Sequence, residues 1–390
     1  MAQLRRYAVA RSLFAPTTLE GAVERLGFVQ ADPIRAPARA QDLTLRHRVE
    51  SYRAGDLERE YTKLAIEEDF FVNYGFLPRA NQALMHPRAV PGRVGPRRRQ
   101  RSEALLAFVR ERGEAHPREV DAHFAHGRVR NWFGGSSSAT TQLLDALHYR
   151  GLLRVARRES GVRIYAPREQ TPPARGAAER RERLDALVEL VVRQYAPLPG
   201  RTLTALLGRL RFGAPQWRGE ISRAIERAKQ RLAHTRVEGV DWYWPADEAP
   251  AHPGYEPDDE VRLLAPFDPV VWDRPRFELL WGWAYRFEAY TPPLRRQRGY
   301  YALPLLWRDR VIGWGSIAAG ERTLEAKLGY VAGRAPRAAA FRRALELELG
   351  RMERFLSITS PTRESGTLAS AAEGAACDRA PGRATTPSPR

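Results

Sequence analysis

The sequence predicts an α+β fold that is mostly helical, and three observations lead to this prediction. Apolar residues recur with a helical period over much of residues 1–247. Two stretches of this part each contain three helical patterns followed by two short strand patterns. From Val261 onward, the composition changes to short aromatic and β-branched runs. Together these patterns predict three tandem winged-helix units followed by a small C-terminal β-barrel.

The N-terminal unit is expected over residues 1–100. Helical periodicity covers 3–12 and 18–26, and Thr17 and Thr18 are suitable N-cap residues for the second helix. Gly27 is expected to end that helix, and a strand over 28–32 would stop at Pro33. Two short helices leading into a strand are typical of the start of a winged helix. The Gly-, Pro- and Arg-rich segment 91–99 is predicted to be an exposed linker.

The second winged helix is predicted over residues 101–170, where the pattern is sharper. An amphipathic helix begins near Ser102, and a short second helix follows over 116–124. The serine and threonine run at 136–141 provides caps for a third helix that begins near Ser138. Strands over 152–158 and 162–166, joined by a turn at 159–161, would form the wing.

The same order recurs at 178–247, which predicts a third winged helix. Helices are expected near 181–195, 201–210 and 219–230, and strands over 232–236 and 240–244. The barrel is assigned to 258–357, with strands that include 281–290 and 299–306 and a closing helix at 336–356. The tail 358–390 has too few large apolar residues to build a core, so it is predicted to be disordered.

The charge balance points to a polyanionic partner. The 390 residues contain 64 Lys and Arg against 46 Asp and Glu, a net charge of +18. Nucleic acid is the commonest partner of so basic a protein, although a GC-rich genome can also enrich arginine without selection for binding. Only Lys63, Lys229 and Lys327 are lysines.

Several classes of protein are disfavoured by the same composition. Cys377 is the only cysteine, which excludes an intrachain disulfide and a cysteine-based metal site. The histidines show no convincing metal-ligand spacing, and no phosphate-binding glycine loop occurs, so no metal or other cofactor is expected. Without a signal-peptide pattern or a long apolar run, the chain is expected to be a soluble cytoplasmic protein.

Gln30 and Asp32 are the candidate catalytic residues. In an extended segment, side chains two positions apart point to the same face, so this amide and this carboxylate could converge on one water molecule. A carboxylate that accepts the proton of a water and an amide that orients that water make a minimal hydrolytic pair. The structural alternative is that Asp32-Pro33 simply starts a turn and that Gln30 bonds to the backbone. The basic residues that follow are expected to keep Asp32 ionised.

A second set of side chains is expected to bind DNA. Arginines of a wing contact phosphates without reading the sequence, whereas the N-terminus of the third helix can enter the major groove. Solvated hairpin arginines and a protein-binding winged helix are the alternatives. The candidates are Arg35, Arg39, Arg46, His47 and Arg48 after the catalytic pair, Thr140, Thr141 and Gln142 on the helix, and Arg154, Arg157, Arg158 and Arg163 on the wing.

Two blocks of sequence resemble the winged-helix DNA glycosylases of the YcaQ/AlkZ type, a crosslink-repair family. One block is Leu-Gly-Phe-Val-Gln-Ala-Asp-Pro-Ile at 26–34, followed by Arg39, Ala40, Leu43, Leu45 and Arg48. The other is Leu-Ala-Pro-Phe-Asp at 264–268, followed by Trp-Asp-Arg at 272–274, Tyr285, Arg286, Glu288, Tyr290 and Gly-Tyr-Tyr at 299–301. The resemblance covers roughly residues 3–350.

The resemblance implies a basic, concave DNA-binding channel and hydrolysis of the N-glycosidic bond of alkylated purines. It also implies that Gln30 and Asp32 form the Gln-x-Asp version of the family's catalytic motif. The chain departs from the family at Gln41, where a histidine is typical, and at 70–76, where a Trp-Ala-His element is typical.

Two hypotheses therefore follow from the sequence. The first is a monofunctional glycosylase that acts in DNA repair as a monomer, bound to the nucleoid, on N7-alkylguanine and on some interstrand crosslinks. Because Lys63 is the only lysine near the motif in sequence, covalent lyase chemistry is less favoured. The second hypothesis is a non-enzymatic winged-helix DNA-binding protein, such as a regulator or a chromatin-associated factor.

Overall fold

Helices predominate over strands in the computed structural model, which describes residues 1–90, 95–130, 135–320 and 323–358. The mixed, mostly helical α+β class is thus confirmed. These residues belong to one unit that spans 1–359. Within the described ranges, no helix has both the length and the apolar character that crossing a bilayer requires.

The N-terminal region contains both predicted helices and a hairpin that the sequence did not predict. Its elements are α1 (Ala2–Ser12), α2 (Leu19–Leu26), β1 (Val29–Gln30), α3 (Ala40–Leu45), α4 (Asp56–Glu60), β2 (Ile66–Phe70), β3 (Tyr74–Pro78) and α5 (Arg79–Leu84). Thr18 caps α2 by accepting the Gly21 N–H, and Gly27 ends that helix in the left-handed region at φ 71°. The strand predicted over 28–32 is shorter and stops at Gln30, before Asp32.

The short strand β1 joins the sheet through a close backbone approach at Gly75. The strand order is β1-β3-β2, and both pairings are antiparallel, with Gln30 opposite Gly75. A Cβ atom on Gly75 would lie 2.2 Å from the Val29 carbonyl oxygen, so only glycine allows this pairing. Gly75 therefore fixes the position of the segment that carries Gln30 and Asp32.

The second region follows the predicted order of three helices and a hairpin. Its elements are α6 (Pro96–Arg112), α7 (Pro117–Phe124), β4 (Arg128–Arg130), β5 (Ser136–Ser138), α8 (Ala139–Tyr149), β6 (Leu153–Glu159) and β7 (Val162–Pro167). Ser138 caps α8 by accepting the Thr140 N–H at 3.1 Å. The first helix begins at Pro96 rather than near Ser102, so the end of the predicted linker 91–99 is helical. Residues 91–94 lie outside the described residues.

The third region follows a similar order, with one additional short helix, and shares a core with the N-terminal region. Its elements are α9 (Ala177–Tyr195), β8 (Leu198–Pro199), α10 (Gly200–Leu207), α11 (Leu210–Gly213), α12 (Ile221–Arg231), β9 (Ala233–Val237) and β10 (Val240–Trp244). The strands pair in the order β8-β10-β9. Leu187, Val191 and Leu203 are fully buried in this core, which also includes Phe28 and Phe71 from the N-terminal region. The third region thus supports the sheet that carries the catalytic candidates.

The described residues of the C-terminal region form an open sheet, so the predicted barrel is not confirmed. Its elements are β11 (Val261–Leu263), α13 (Arg274–Trp281), β12 (Leu303–Trp307), β13 (Arg310–Ala319), β14 (Leu324–Tyr330) and α14 (Ala339–Phe355). The described strands pair in the order β11-β12-β13-β14, without a pairing between the first and the last. Segment 281–290, predicted as a strand, is the end of α13 followed by irregular chain. Its aromatic rings pack on neighbouring rings instead, as Trp283 does on Trp314 with centroids 5.9 Å apart.

Two further predictions concern the end of the chain. The closing helix, predicted at 336–356, is present as α14 and packs against the C-terminal sheet, where Phe341 is buried beside Trp307. The predicted disordered tail 358–390 lies, apart from residue 358, outside the described residues.

A fully buried ion pair joins the N-terminal and C-terminal regions. The Arg48 guanidinium donates to both carboxylate oxygens of Asp268, at 2.8 and 3.0 Å, and neither side chain is exposed. Arg48 also donates to the carbonyl oxygens of Ser12 and Thr44. The carboxylate in turn accepts the Val270 N–H, so each charge has the partners that its burial requires.

Replacing Arg48 with Met is expected to lower the free energy of unfolding by about 3–5 kcal/mol, because the Asp268 carboxylate stays buried without its counter-charge. Urea denaturation followed by circular dichroism measures the change. The control is Arg308→Ala, which removes an exposed ion pair with Asp259 and should cost no more than about 1 kcal/mol. Equal losses in the two variants would contradict this assignment.

Candidate active site

A cleft of about 320 Å³ lies where the N-terminal sheet meets the hairpin of the second region. Asp32 lines it, just beyond the end of β1. The rest of its lining comes from both regions and includes three arginines: Ala31, Pro33, Arg39, Gln41, Tyr74, Arg158, Gly161 and Arg163. The cleft therefore combines one carboxylate with several cations.

Asp32 is both a turn residue and a cleft residue. Its Oδ1 accepts the backbone N–H of Ile34 at 2.9 Å, which is the local turn that the structural alternative predicted. Its own backbone N–H donates to Oε1 of the buried Gln41 at 3.2 Å. The carboxylate also lines the open cleft, so the turn orients it without enclosing it.

The electrostatic environment of Asp32 differs from the sequence prediction. Burial raises the pKa of its carboxyl, and the hydrogen bond from Ile34 offsets part of that rise. Neighbouring arginines were expected to favour the ionised form. In the structure Arg39 forms an ion pair with Glu58 and Arg158 forms one with Glu68, so these cations are already neutralised. Desolvation therefore dominates at Asp32.

Gln30, which is not among the residues that line the cleft, is held by a residue of the C-terminal region. Its Oε1 accepts the indole N–H of Trp272 at 2.6 Å, and Gln30 is almost fully buried. Trp272 is packed in turn against the ring of Tyr195, with centroids 5.5 Å apart. Since the amide oxygen has this partner, the two N–H groups of the amide are the ones left for a water.

Four of the predicted DNA-binding arginines lie around this cleft. Arg39, Arg158 and Arg163 line it, and the guanidinium groups of Arg35 and Arg39 both approach Gly161 in the hairpin turn. Arg163 lies over the ring of Tyr74 and donates to its hydroxyl at 3.2 Å. The structure thus brings together arginines that are more than a hundred residues apart in the sequence.

The other two candidate arginines of the β6-β7 hairpin are also paired with acids, as Arg158 and Arg163 are. Arg154 donates to Glu67, and Arg157 bridges Glu114 and Glu159. Both arginines keep part of their side chains exposed, so their outer N–H groups can still reach a phosphate. The wing is nevertheless less positive than its sequence suggests.

Arg46, His47 and Arg48 do not present a surface to DNA, which corrects the sequence interpretation. Arg46 forms an almost fully buried ion pair with Glu348 of α14, and Arg48 pairs with Asp268. A ring nitrogen of His47 lies 3.0 Å from the Leu263 carbonyl oxygen. Burial, followed by the charge of Arg46, lowers the pKa of His47 well below its ordinary value. These three residues join the regions of the fold.

The N-terminus of α8 is only partly accessible. Thr140 is fully buried and cannot touch a base edge, which corrects its assignment. Gln142 is half-buried and donates to Ser137 Oγ at 3.2 Å, and Thr141 is also half-buried. Thr141 and Gln142 remain candidates for DNA contact at this end of the helix.

Two contributions to the site were not predicted. Tyr74 lines the cleft on the unpredicted strand β3, and Trp272 fixes Gln30 from 242 residues away. In the sequence, Trp272 stands out only as part of the second resemblance block. A contact between residues so far apart leaves no local pattern, so sequence periodicity could not reveal it.

A half-buried carboxylate in an arginine-lined cleft, on a chain of net charge +18, is typical of an enzyme that acts on nucleic acid. The model of the family "DNA glycosylase AlkZ-like" matches residues 23–355. The chain therefore belongs to the AlkZ-like DNA glycosylase family, and it is a DNA-repair enzyme whose partner is DNA.

The fold is also similar to a solved structure, the DNA glycosylase AlkZ of Streptomyces sahachiroi. The TM-score is 0.61 at 15% sequence identity, and the match covers 92% of this chain and 97% of the other. At this identity the likeness supports the fold alone.

The ion pair between Glu68 and Arg158 should make stability depend on acid pH. Although burial acts to raise it, the hydrogen bond and charge of Arg158 hold the pKa of Glu68 below its ordinary value of 4.5. Because the folded-state pKa is depressed, this stabilisation is complete above pH 4.5 and is lost as the pH falls through the folded-state value.

Glu68→Gln is therefore expected to lose about 2–3 kcal/mol of unfolding free energy at neutral pH and to show a flatter dependence on acid pH. Denaturation curves measured from neutral to acid pH test both parts. The matched control is Glu159→Gln at the exposed end of the hairpin that carries Arg158, which should change little. A variant at position 68 with wild-type stability at neutral pH would rule out a stabilising pair.

Proposed function

We propose that the protein is a monofunctional DNA glycosylase that hydrolyses the N-glycosidic bond of alkylated bases of the N7-alkylguanine type. The observation that carries this proposal is the placement of the Asp32 carboxylate in the arginine-lined cleft. An N7-alkylated guanine is cationic and leaves readily without a strong general acid. The enzyme must then supply an anion for the oxocarbenium-like sugar and a positioned water.

Asp32 can supply the anion and accept the proton of the water. Its Oδ1 is oriented by the Ile34 N–H, so the carboxylate need not reorganise as charge develops on the sugar. Burial raises its pKa, which makes the ionised carboxylate a stronger base than an exposed aspartate. In this mechanism the water attacks the anomeric carbon and Asp32 takes the proton of the water. The damaged nucleobase leaves with the electron pair of the N-glycosidic bond.

Gln30 is proposed to orient the attacking water. Trp272 holds its amide oxygen, which leaves the amide N–H groups to donate to the oxygen of the water. The hydrogens of the water would then point toward the acceptor, Asp32. This assigns Gln30 as an orienting group and leaves the proton transfer to Asp32.

The arginines at the cleft are proposed to hold the phosphates that flank the damaged nucleotide. Arg35, Arg39, Arg158 and Arg163 surround Asp32, and Arg154, Arg157, Thr141 and Gln142 extend this surface along the second region. Contacts to phosphate position a duplex without selecting its sequence, which suits the repair of lesions that occur at any site.

The division of the chain into domains and its form in the cell are part of the same proposal. We interpret residues 1–100, 101–170 and 178–247 as three tandem winged-helix units, and 258–357 as a separate C-terminal sheet domain with a closing helix. We propose that the protein acts as a monomer in the cytoplasm, bound to the nucleoid. We also propose that it unhooks some interstrand crosslinks. Membership of a glycosylase family favours this function over the non-enzymatic DNA-binding protein.

Replacing Asp32 with Asn is expected to slow base release by about 10²–10⁴-fold, because the proton acceptor and the anion are both lost. DNA affinity should stay within about threefold, since phosphate contacts dominate binding. The assay uses a duplex with N7-methylguanine and reveals abasic sites by alkali. Strand breaks without alkali would indicate a lyase.

The control for this variant is Asp259→Asn, an exposed acid paired with Arg308. It should release the base at the wild-type rate. An Asp32→Asn enzyme that works as fast as this control would remove Asp32 from the mechanism.

The rate of base release should also decrease at acid pH. Asp32 acts in its ionised form, so the single-turnover rate is expected to be constant near neutral pH and to decrease as the pH drops through the Asp32 pKa. Because burial raises that pKa, the decrease should begin at a higher pH than the ordinary value of 3.8 implies. After subtraction of spontaneous depurination, a rate that rises in acid would instead identify Asp32 as a proton donor.

A further inference from the structure

The chain between α13 and β12 carries a projecting loop, defined here as residues 289–300. Its base is fixed by Glu288, a buried carboxylate whose Oε2 accepts the backbone N–H groups of Gln297 at 2.9 Å and Arg298 at 2.8 Å. The Glu288 carbonyl oxygen accepts the Thr291 N–H at 2.9 Å. The loop is therefore closed at its base by three hydrogen bonds to one residue.

The tip of the projecting loop is also conformationally restricted. Pro292 and Pro293 precede Leu294, and a single 3₁₀ turn spans Pro293–Arg295. Arg296 Nε donates to the Thr291 carbonyl oxygen at 2.8 Å and closes the turn from the other side. A tip built in this way loses little conformational entropy when it meets a partner.

The side chains at this tip are apolar and extend into solvent. Leu294 is 101% exposed and Tyr290 is 80% exposed, the two largest values among the exposed large hydrophobic residues of the described chain. A rigid loop that holds two such side chains away from the protein indicates a surface that a partner covers.

The charge around the tip identifies the chemistry of that partner. Four arginines lie within residues 286–300, and the only acid there is Glu288, which is already satisfied at the loop base. Arg286 and Arg295 are exposed, and Arg296 lies over the ring of Tyr300, 5.0 Å from its centroid. Apolar side chains flanked by cations suit a partner that offers stacked rings beside phosphates.

The residue that follows the loop lies within electrostatic range of Asp32. Tyr301 follows the loop directly and packs edge-on against Phe287, with centroids 5.2 Å apart, and Phe287 contacts Tyr290 in the same way at 6.1 Å. The hydroxyl of Tyr301 is buried without a hydrogen-bond partner. Burial, followed by the charge of Asp32, raises the pKa of Tyr301, which places Asp32 within electrostatic range of it.

We propose that the projecting loop inserts Leu294 and Tyr290 into the base stack of duplex DNA next to the damaged nucleotide, while Arg295 and Arg296 bind the adjoining phosphates. Apolar wedges of this kind unstack a base step and kink the duplex. The insertion would hold the damaged nucleotide out of the stack, where Asp32 can reach its sugar. This inference rests on the proposed placement of the substrate at Asp32.

The experiment measures unstacking without relying on base release. Duplexes carry 2-aminopurine next to an uncleavable abasic analogue, and the full-length protein is added at saturating concentration. The wild type should raise the fluorescence several-fold, and Leu294→Ala combined with Tyr290→Ala should abolish most of the rise and weaken binding about 3–10-fold. Both side chains are exposed, so the fold should be unaffected.

The matched control is Leu347→Ala, an apolar residue on α14 that is 63% exposed. It should behave as the wild type. In addition, Arg295→Gln with Arg296→Gln should lower the slope of log affinity against log salt by about 1–2.

Two outcomes would overturn the proposal. One is the same fluorescence rise in the double alanine variant as in the wild type. The other is an unchanged DNA response together with concentration-dependent self-association that the double variant loses, which would identify the tip as a contact between copies of this chain. An inactive Asp32→Asn protein that still unstacks the duplex would separate the loop from the catalytic role of Asp32.

Discussion

The pairing of three consecutive acids on β2 is the constraint on which the rest of the site depends. Glu67, Glu68 and Asp69 are all buried, and removing three adjacent carboxylates from water costs several kcal/mol each unless every charge is paired. Arg154 and Arg158 of the hairpin pair with the two glutamates, and α5 and the residues after it supply Gln82, His86 and Arg88 to Asp69. The strand therefore ties the hairpin of the second region to the sheet that carries Gln30 and Asp32.

A bulge in the hairpin makes this pairing geometrically possible. Neighbouring residues of a strand point to opposite faces, so Glu67 and Glu68 require partners on opposite faces. Arg154 and Arg158, four residues apart on one strand, would normally share a face. Ala156 is the extra residue between the pairs formed by Val155 and Arg157, and it reverses the alternation. Arg158 is thereby directed to the cleft.

The sequence predicted local elements well and long-range contacts poorly, for physical reasons that particular residues illustrate. Thr18, Gly27 and Ser138 determine helix ends by capping, a local effect that single positions reveal. The hairpin of β2 and β3 was missed because its acidic run lacks the polar and apolar alternation of a surface strand. The aromatic run 281–290 suggested a strand, but its rings at positions 281, 283 and 285 pack around the ring of Phe277 instead.

For the candidate site too, the sequence indicated the local features but not the long-range contacts. The types and spacing of Gln30 and Asp32 indicated hydrolytic chemistry, and the arginine content indicated a polyanion. Which arginines face the cleft could not be predicted, because the acid that Arg48 or Arg158 meets and the burial of its side chain are decided only on folding. The partners of Gln30 and Asp32, Trp272 and Gln41, likewise depend on how the chain folds.

In the proposed mechanism, pairing the cleft arginines with acids resolves a conflict between binding DNA and acting as a base. Unpaired guanidinium groups beside Asp32 would attract phosphate, but they would also lower the pKa of its carboxyl and weaken it as a proton acceptor. Glu58 and Glu68 neutralise the arginines from the protein side. Their outer N–H groups can still donate to a phosphate, while burial sets the pKa of Asp32. In the proposed mechanism, the acids behind the arginines thus let one small cleft hold an anionic substrate and keep a basic carboxylate.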